Sequence, residues 1–322
     1  MGAVMVVWIR GLAVRDAKAP YSPNPGFPMF SRHSLVRCHS WLALAATACA
    51  GHNPRQSDRL FPAAGPAVIG HRGAAALAPE NTRAGFSRAT ELGVAFELDV
   101  TLSEDGHLVV IHDDTLERTT TGSGLVSETA WRDIQPLDAG SWYGSQWAGE
   151  PVPSLPDVLG EFGHSVVVDV EIKSPPSGTS VKPVARAVVA AIQDAGLTQR
   201  ALVTSFNPYV LEAVREADPS ILRGQLVATF DDADLTGIEK LVLRNLWLNR
   251  KAQADILAAE AAFLRARGPR YVRWMKQKGY RVLAWTVNDP AEMEEMVALG
   301  ADGIITDHPD RALEVLRGPP TP

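Results

Sequence analysis

Nine short runs rich in Val, Ile, Leu and Phe follow residue 66, and every gap between them but one is long enough to hold a helix. Strands alternating with helices imply a parallel sheet covered by helices. The spacing predicts strands over Val68–Arg72, Ala95–Leu102, Leu108–His112, Val166–Ile172, Leu202–Phe206, Arg223–Val227, the less β-branched Leu246–Asn249, Val282–Val287 and Gly303–Thr306. Helices are predicted over Thr82–Leu92, Val181–Ala195, Pro208–Ala217 and Pro290–Leu299. The exceptional gap is SEDGH, between Leu102 and Leu108. A parallel crossover takes a dozen residues or more, and Asp105-Gly106 is a hairpin turn signal. Leu108–His112 therefore turns back against Ala95–Leu102. Removing it from the count leaves the eight parallel strands of an α/β chain folded as a (β/α)₈ TIM barrel, with a hairpin at strand 2.

The hairpin raises a chemical question. Glu97 and Asp99 interrupt an apolar strand, FELDVTL, and burying a carboxylate is costly unless something pairs with it. Period two places both on one face. A two-residue Asp105-Gly106 loop would set Ser103 against Leu108 and, stepping back, Asp99 against His112 on that same face. After His112 the chain runs through RTTTGSG, LDAGSWYGSQW and PVPSLP with little regular period. This insertion, about residues 114–159, is long enough to be functional or a subdomain, and Trp142, Tyr143 and Trp147 give it aromatic surface.

Other strands carry matching groups. VIGHRG ends the first strand with His71 and Arg72, and VVVDVEIKS sets Asp169, Glu171 and Lys173 on one face. Polar residues at the C-terminal ends of barrel strands are the expected site builders. Carboxylates from two strands suit a hard divalent cation, Mg²⁺ or Ca²⁺. Zinc held by thiolates is excluded, because the only cysteines, Cys38 and Cys49, precede the first strand; zinc on His and carboxylate is not. Arg72 and Lys173 beside such a cation suit a phosphate, and two histidines can serve as general acid and base. The residues alone thus point to metal-assisted phosphoester hydrolysis.

Taken together, GHRGAAALAPENT, FELDVTLSEDGHLVVIHDDTLERTT, VEIK, AWTVND and ADGIITDHPD resemble the glycerophosphodiester phosphodiesterase family, in its order and spacing from about Ala67 to Leu316. The resemblance implies hydrolysis of glycerophosphodiesters, such as glycerophosphocholine, to sn-glycerol 3-phosphate and an alcohol, with one bound divalent metal. It implies His71 and His112 as the catalytic pair and Arg72 as the phosphate-binding arginine. Glu97, Asp99 and Glu171 match the metal ligands. Lys173 matches the lysine of the E-x-K strand, Trp285 the aromatic lining the substrate pocket, and the insertion the part that shapes the alcohol end. Asp169 departs from the pattern, which has a neutral residue there. A related barrel phospholipase acting on lipid or lysolipid is the alternative enzyme, and a non-catalytic binding barrel the alternative of another class. The barrel would lose at least one of the five key residues in that last case, and none is missing.

Bland readings remain for several residues. Lys173 suits an ion pair with Glu171, and Trp285 a core position. Asn81 and Thr82 suit a helix cap, while Glu80 and Asn81 equally suit support of His71 from behind. Asp307 fits either the barrel mouth or a loop bend.

The amino-terminal region has a different character. Residues 1–28 read as a misassigned or disordered extension, and 29–49 as a signal or lipoprotein signal peptide. Arg32 and Arg37 precede the short apolar WLALAATA, with Cys49 as the candidate lipid anchor to a membrane. Residues 50–66 read as a linker and 67–318 as the barrel. An exported, periplasmic or cell-envelope protein is expected, a cytoplasmic one with a disordered tail being the alternative. The net charge of −6 gives no electrostatic ground for a nucleic-acid partner.

Overall fold

The computed structural model describes residue 61 and residues 65–175, 179–231 and 236–317. The expectations for residues 1–49, including Cys49, lie outside them. In chain order the elements are β1 (Ala67–Gly70), α1 (Arg83–Glu91), β2 (Ala95–Leu102), β3 (Leu108–Val110), α2 (Trp131–Ile134), α3 (Leu155–Phe162), β4 (Val168–Ile172), α4 (Lys182–Asp194), β5 (Ala201–Ser205) and α5 (Pro208–Ala217). They continue with β6 (Leu222–Val227), α6 (Gly237–Arg244), α7 (Asn249–Ala252), β7 (Ile256–Glu260), α8 (Ala261–Gln277), β8 (Arg281–Trp285), α9 (Pro290–Leu299), β9 (Gly303–Thr306) and α10 (Pro309–Arg317).

Eight strands close in parallel, in the order β1, β2, β4, β5, β6, β7, β8, β9 and back to β1. This is the TIM barrel expected. The backbone carbonyls of Glu97 and Asp99 share one edge of β2; the first accepts from Gly73 N and the second from Ile111 N. The antiparallel β3 thus occupies the edge of β2 that β1 leaves free.

Three expectations are corrected. The hairpin pairs Leu102 with Leu108 and Val100 with Val110, so Asp99 is set against Ile111 and not His112. Gly106 N bonds Ser103 O and Gly106 sits at φ 81°, while Ser103 N bonds His107 O. That is a three-residue loop, a turn followed by a left-handed glycine, one residue longer than the two-residue turn the Asp-Gly pair predicts. The odd residue shifts the register by one. The second correction is the seventh barrel strand, which is Ile256–Glu260. Leu246–Asn249 forms instead a turn, with Leu246 at φ 54°, leading into the short α7. The Leu155–Leu159 end of the expected insertion also belongs to α3, the crossover helix, capped by Ser154.

Alternation divides the core in two. Ile69, Leu202, Leu222, Leu226, Ile256, Ala258, Leu283 and Ile305 fill the barrel interior. Outward-facing strand residues, such as Phe96, Val170 and Val203, pack against the helices, where Phe86 stacks on Phe96 and Phe162 meets both rings edge-on. Phe61 lies against the interior cluster and under the Arg281 guanidinium at the start of β8, closing the N-terminal end of the barrel. The insertion has its own small core, Val109, Ile111, Leu116, Val126, Ile134, Ala139 and Val152. Asp138 ties its loop: Oδ1 accepts from Gly140 N at 2.8 Å and Ser141 N at 2.9 Å, and Oδ2 from Gly149 N at 2.8 Å. Among the described residues no helix is long and apolar enough to cross a membrane.

Candidate active site

The alternation that fills the barrel with Ile69, Leu202 and Ile305 continues upward into the mouth. One step beyond the apolar layer it presents His71, Glu97, Asp99, Glu171, Lys173, Trp285 and Asp307. The parallel register sets Glu97 beside Asp169 and Asp99 beside Glu171. Close approach of the backbone builds the loop after β1. A Cβ on Gly70 would stand 1.8 Å from Gly73 O, so only glycine fits there. The same loop holds Arg72 at φ 50° and Asn81 at φ 54°.

Glu97, Asp99 and Glu171 bring ligand oxygens within 4.8 Å of one another, as their strands predict. Lys173 Nζ lies 2.8 Å from Asp99 Oδ1 and 2.8 Å from Glu171 Oε1, so the ion pair with Glu171, the alternative reading of this lysine, forms and extends to Asp99. Burial works against the Asp99 charge, but Lys173, His112 and Arg72 outweigh it and hold this carboxyl far below the ordinary range. Glu97 is treated oppositely. Burial, then the charges of Asp99, Glu171 and Asp169, push it well above the ordinary value, against the bond from Arg72 N to Oε2 at 2.8 Å. Its other oxygen, Oε1, is buried with no hydrogen-bond partner among the described residues. Three converging carboxylates, one of them with an orphaned oxygen, are a donor set that fits a hard divalent cation. Asp169 is buried beside them, with Oδ1 accepting from Thr204 Oγ1 at 2.9 Å. Burial outweighs that bond and, with the charges of Glu171 and Asp99, pushes Asp169 up to about 8.

Each histidine is held through Nδ1. His71 Nδ1 lies 2.6 Å from Asp307 Oδ1, and Asp307 Oδ2 accepts from Asn288 Nδ2 at 2.6 Å. His112 Nδ1 lies 2.6 Å from Oδ1 of its neighbour Asp113. For both aspartates burial works to raise the pKa; the histidine and the other partners overcome it and leave the carboxyls below the ordinary value. Ionised carboxylates accept from Nδ1–H, so in each imidazole Nε2 is the nitrogen that its aspartate does not engage. His112 reaches the Asp99 neighbourhood by the turn that follows β3, not by strand pairing.

Glu80 and Asn81 depart from the expected support of His71. Glu80 Oε1 accepts from Arg72 Nη1 at 2.7 Å, and Asn81 grips Asp99, with Nδ2 on Oδ2 at 2.8 Å and Oδ1 receiving Asp99 N at 3.2 Å. Asp307 does the work expected of them, supplied by a strand at the far end of the chain. Thr82 caps α1, accepting from Gly85 N at 3.2 Å. Trp285 ends β8 at the mouth, edge-on to Phe206 with ring centroids 5.5 Å apart.

Sequence reasoning did not single out Asp113 or Arg118, and it read Asn288, which bonds Asp307, as turn chemistry before Asp289-Pro290. Asp113 follows directly on His112 in an HDD run, which is a usable signal. Arg118 lies in a loop without period, and only its contacts identify it.

The chain matches the model of the glycerophosphoryl diester phosphodiesterase family over residues 71–311. It is similar to a glycerophosphodiester phosphodiesterase of Caldanaerobacter subterraneus subsp. tengcongensis, 36% identical over 254 residues that cover 78% of this chain and 97% of the relative. Among solved structures it resembles a glycerophosphodiester phosphodiesterase from Agrobacterium tumefaciens, at TM-score 0.61 and 28% identity, covering 77% of this chain and 98% of that one. It also resembles an Oleispira antarctica phosphodiesterase in complex with the product sn-glycerol-3-phosphate, at TM-score 0.63 and 29% identity, covering 78% and 96%. On its fold, its clustered acids and histidines, and this match across most of its length, the chain belongs to the glycerophosphoryl diester phosphodiesterase family.

Proposed function

We propose that this enzyme hydrolyses glycerophosphodiesters, glycerophosphocholine among them, to sn-glycerol 3-phosphate and an alcohol, using His71 and His112 for proton transfer beside a divalent cation. The observation that carries the reading is the meeting of Glu97, Asp99 and Glu171 within 4.8 Å at the mouth that also holds two carboxylate-bound imidazoles. Glu97, Asp99 and Glu171 would hold the cation, Mg²⁺ or Ca²⁺. When bound, it polarises the phosphoryl oxygens and offsets the negative charge.

The chain's own groups do the rest. Arg72 and Lys173 bind the phosphate charge, Arg72 with its guanidinium turned by Glu80 and Lys173 steadied by two carboxylates. One histidine removes the proton of the attacking hydroxyl through Nε2, and the other delivers a proton to the leaving oxygen. The attacker is water, or the adjacent glycerol hydroxyl, which gives a cyclic phosphate first. Trp285 and Phe206 line the apolar side of the mouth.

The test is release of sn-glycerol 3-phosphate from glycerophosphocholine by wild type and His112→Ala, with and without a chelator. Activity confined to the metal-loaded wild type is expected, and full activity in His112→Ala sinks the mechanism. Turnover of intact phospholipid but not of the soluble diester would favour the phospholipase. Export with lipidation at Cys49 is part of the same proposal, supported by the basic and apolar layout before it. Mass spectrometry showing an unmodified chain that begins upstream of Cys49 would remove it.

A further inference from the structure

Arg118 belongs to the insertion and sits outside every hydrophobic cluster, yet it donates to two carboxylates at once. Nε reaches Asp113 Oδ2 at 2.6 Å and Nη2 reaches Asp113 Oδ1 at 2.9 Å. On its other edge, Nη1 reaches Glu80 Oε2 at 2.9 Å and Nη2 reaches Glu80 Oε1 at 2.8 Å. The oxygens it holds are those in use at the site. Asp113 Oδ1 faces His112 Nδ1, and Glu80 Oε1 accepts from Arg72 Nη1. The result is a chain of alternating charge, Arg72, Glu80, Arg118, Asp113 and His112.

We propose that Arg118 is the positioning residue through which the insertion fixes His112 and Arg72 relative to one another, so that proton transfer and phosphate binding share one geometric reference. A carboxylate gripped at both oxygens cannot turn, and the imidazole or guanidinium bonded to it inherits that orientation. Arg118 grips both carboxylates in this way. Without it Asp113 keeps only His112 among these contacts, and Glu80 keeps only Arg72. The planar fork of arginine can serve two carboxylates from its two edges, whereas the point charge of lysine cannot reproduce that geometry. The insertion is tied to the barrel independently, since Glu150 Oε1 accepts from Ala84 N at 3.1 Å in the first turn of α1. Loss of the Arg118 side chain therefore leaves the insertion docked and the hydrophobic clusters intact.

The inference rests on the hydrolytic reading above and is tested on the same reaction with full-length protein. Arg118→Ala should lower kcat about 10- to 100-fold, the usual cost of removing a partner that orients a site group. It should also raise KM several-fold, because Arg72 loosens with Glu80. Affinity for the divalent ion, measured by calorimetry, should stay within a factor of two or so of wild type, since no bond of Arg118 reaches the carboxylate triad. Guanidinium ion at non-denaturing concentration should restore part of kcat in Arg118→Ala, and Arg118→Lys should recover little. Wild-type constants in Arg118→Ala overturn the inference, as does a loss that guanidinium leaves untouched. Should Arg118→Ala not fold, a cycle of Glu80→Gln and Arg118→Lys decides. Coupled losses support the inference, and additive ones overturn it. A wild type that hydrolyses no diester defeats the functional reading, while an active wild type with an indifferent Arg118→Ala defeats this inference alone.

Discussion

His71 and His112 are held alike: each presents Nδ1 to a single aspartate oxygen at 2.6 Å, from Asp307 in one case and Asp113 in the other. The two aspartates reach the mouth differently. Asp113 is the next residue in the chain, whereas Asp307 follows the last barrel strand and meets His71 only because β9 pairs with β1. Closure of the barrel is therefore a condition for orienting one of the two imidazoles.

Asp307→Ala should lower kcat about 10- to 100-fold, by releasing the His71 ring and with it the preferred tautomer. Because a depressed carboxylate adds stability at neutral pH, the thermal midpoint there should also fall. Initial rates and a melting curve check this; a kcat equal to wild type would show that His71 needs no aspartate.

Asn81 is buried, left-handed, and bonded to both the carboxylate and the amide of Asp99. Asn81→Ala loses the amide, at a cost of about 1–3 kcal/mol, and strains the backbone by roughly a further 1 kcal/mol. Asn81→Gly loses only the amide. Urea unfolding should place the alanine variant about 1 kcal/mol below the glycine variant. The reverse order would refute a backbone contribution.

Glu97 is pushed up by burial and by neighbouring carboxylates. Its charge therefore opposes folding in the metal-free protein above the ordinary glutamate pKa. Glu97→Gln keeps the shape and removes that charge, so the metal-free variant should melt at or above the wild-type temperature near pH 7. Divalent ion should stabilise wild type by about 2.7 kcal/mol at a hundred times its dissociation constant, and the variant far less. An equal rise in melting temperature for both would remove Glu97 from the ligand set.

Asp138 is lowered from 3.8 to about 2 by backbone N–H groups of Ser141, Gly149 and Gly140. A depressed carboxylate adds stability that is present above its unfolded pKa and lost as pH falls through the folded one. The loop carrying Trp142 and Trp147 should therefore loosen between about pH 4 and pH 2. Tryptophan fluorescence should report that transition in wild type. Asp138→Asn should already show the loosened signal at neutral pH, and an unaltered titration in it would count against the tie.

The sequence foretold most of the mouth because strand alternation has a fixed period. Once β2 and β4 were recognised, Glu97, Asp99, Glu171 and Lys173 had to share a face. Register was another matter. Whether Asp105-Gly106 closes a loop of two residues or three depends on whether Asp105 turns left-handed along with Gly106; only Gly106 does, and that decided what Asp99 faces. Strand β7 was hidden for a different reason. ILAAE runs straight into AAFLRAR, and short apolar or alanine-rich segments carry no period that tells strand from helix. The partners of the site groups were least visible. Asp307 stands 236 positions from His71, and Arg118 finds Glu80 and Asp113 only after the insertion has folded.

Phe61 stoppers the barrel at the end opposite His71 and His112, with Arg281 resting on its ring. The described chain enters the barrel at that same rear end, through Ala67 at the start of β1. Any tether on that side, whatever its chemistry, would hold the molecule by its back with the mouth open to the surrounding fluid. A diester already dissolved meets such a mouth directly, whereas one still embedded in the anchoring surface would face the wrong end of the barrel.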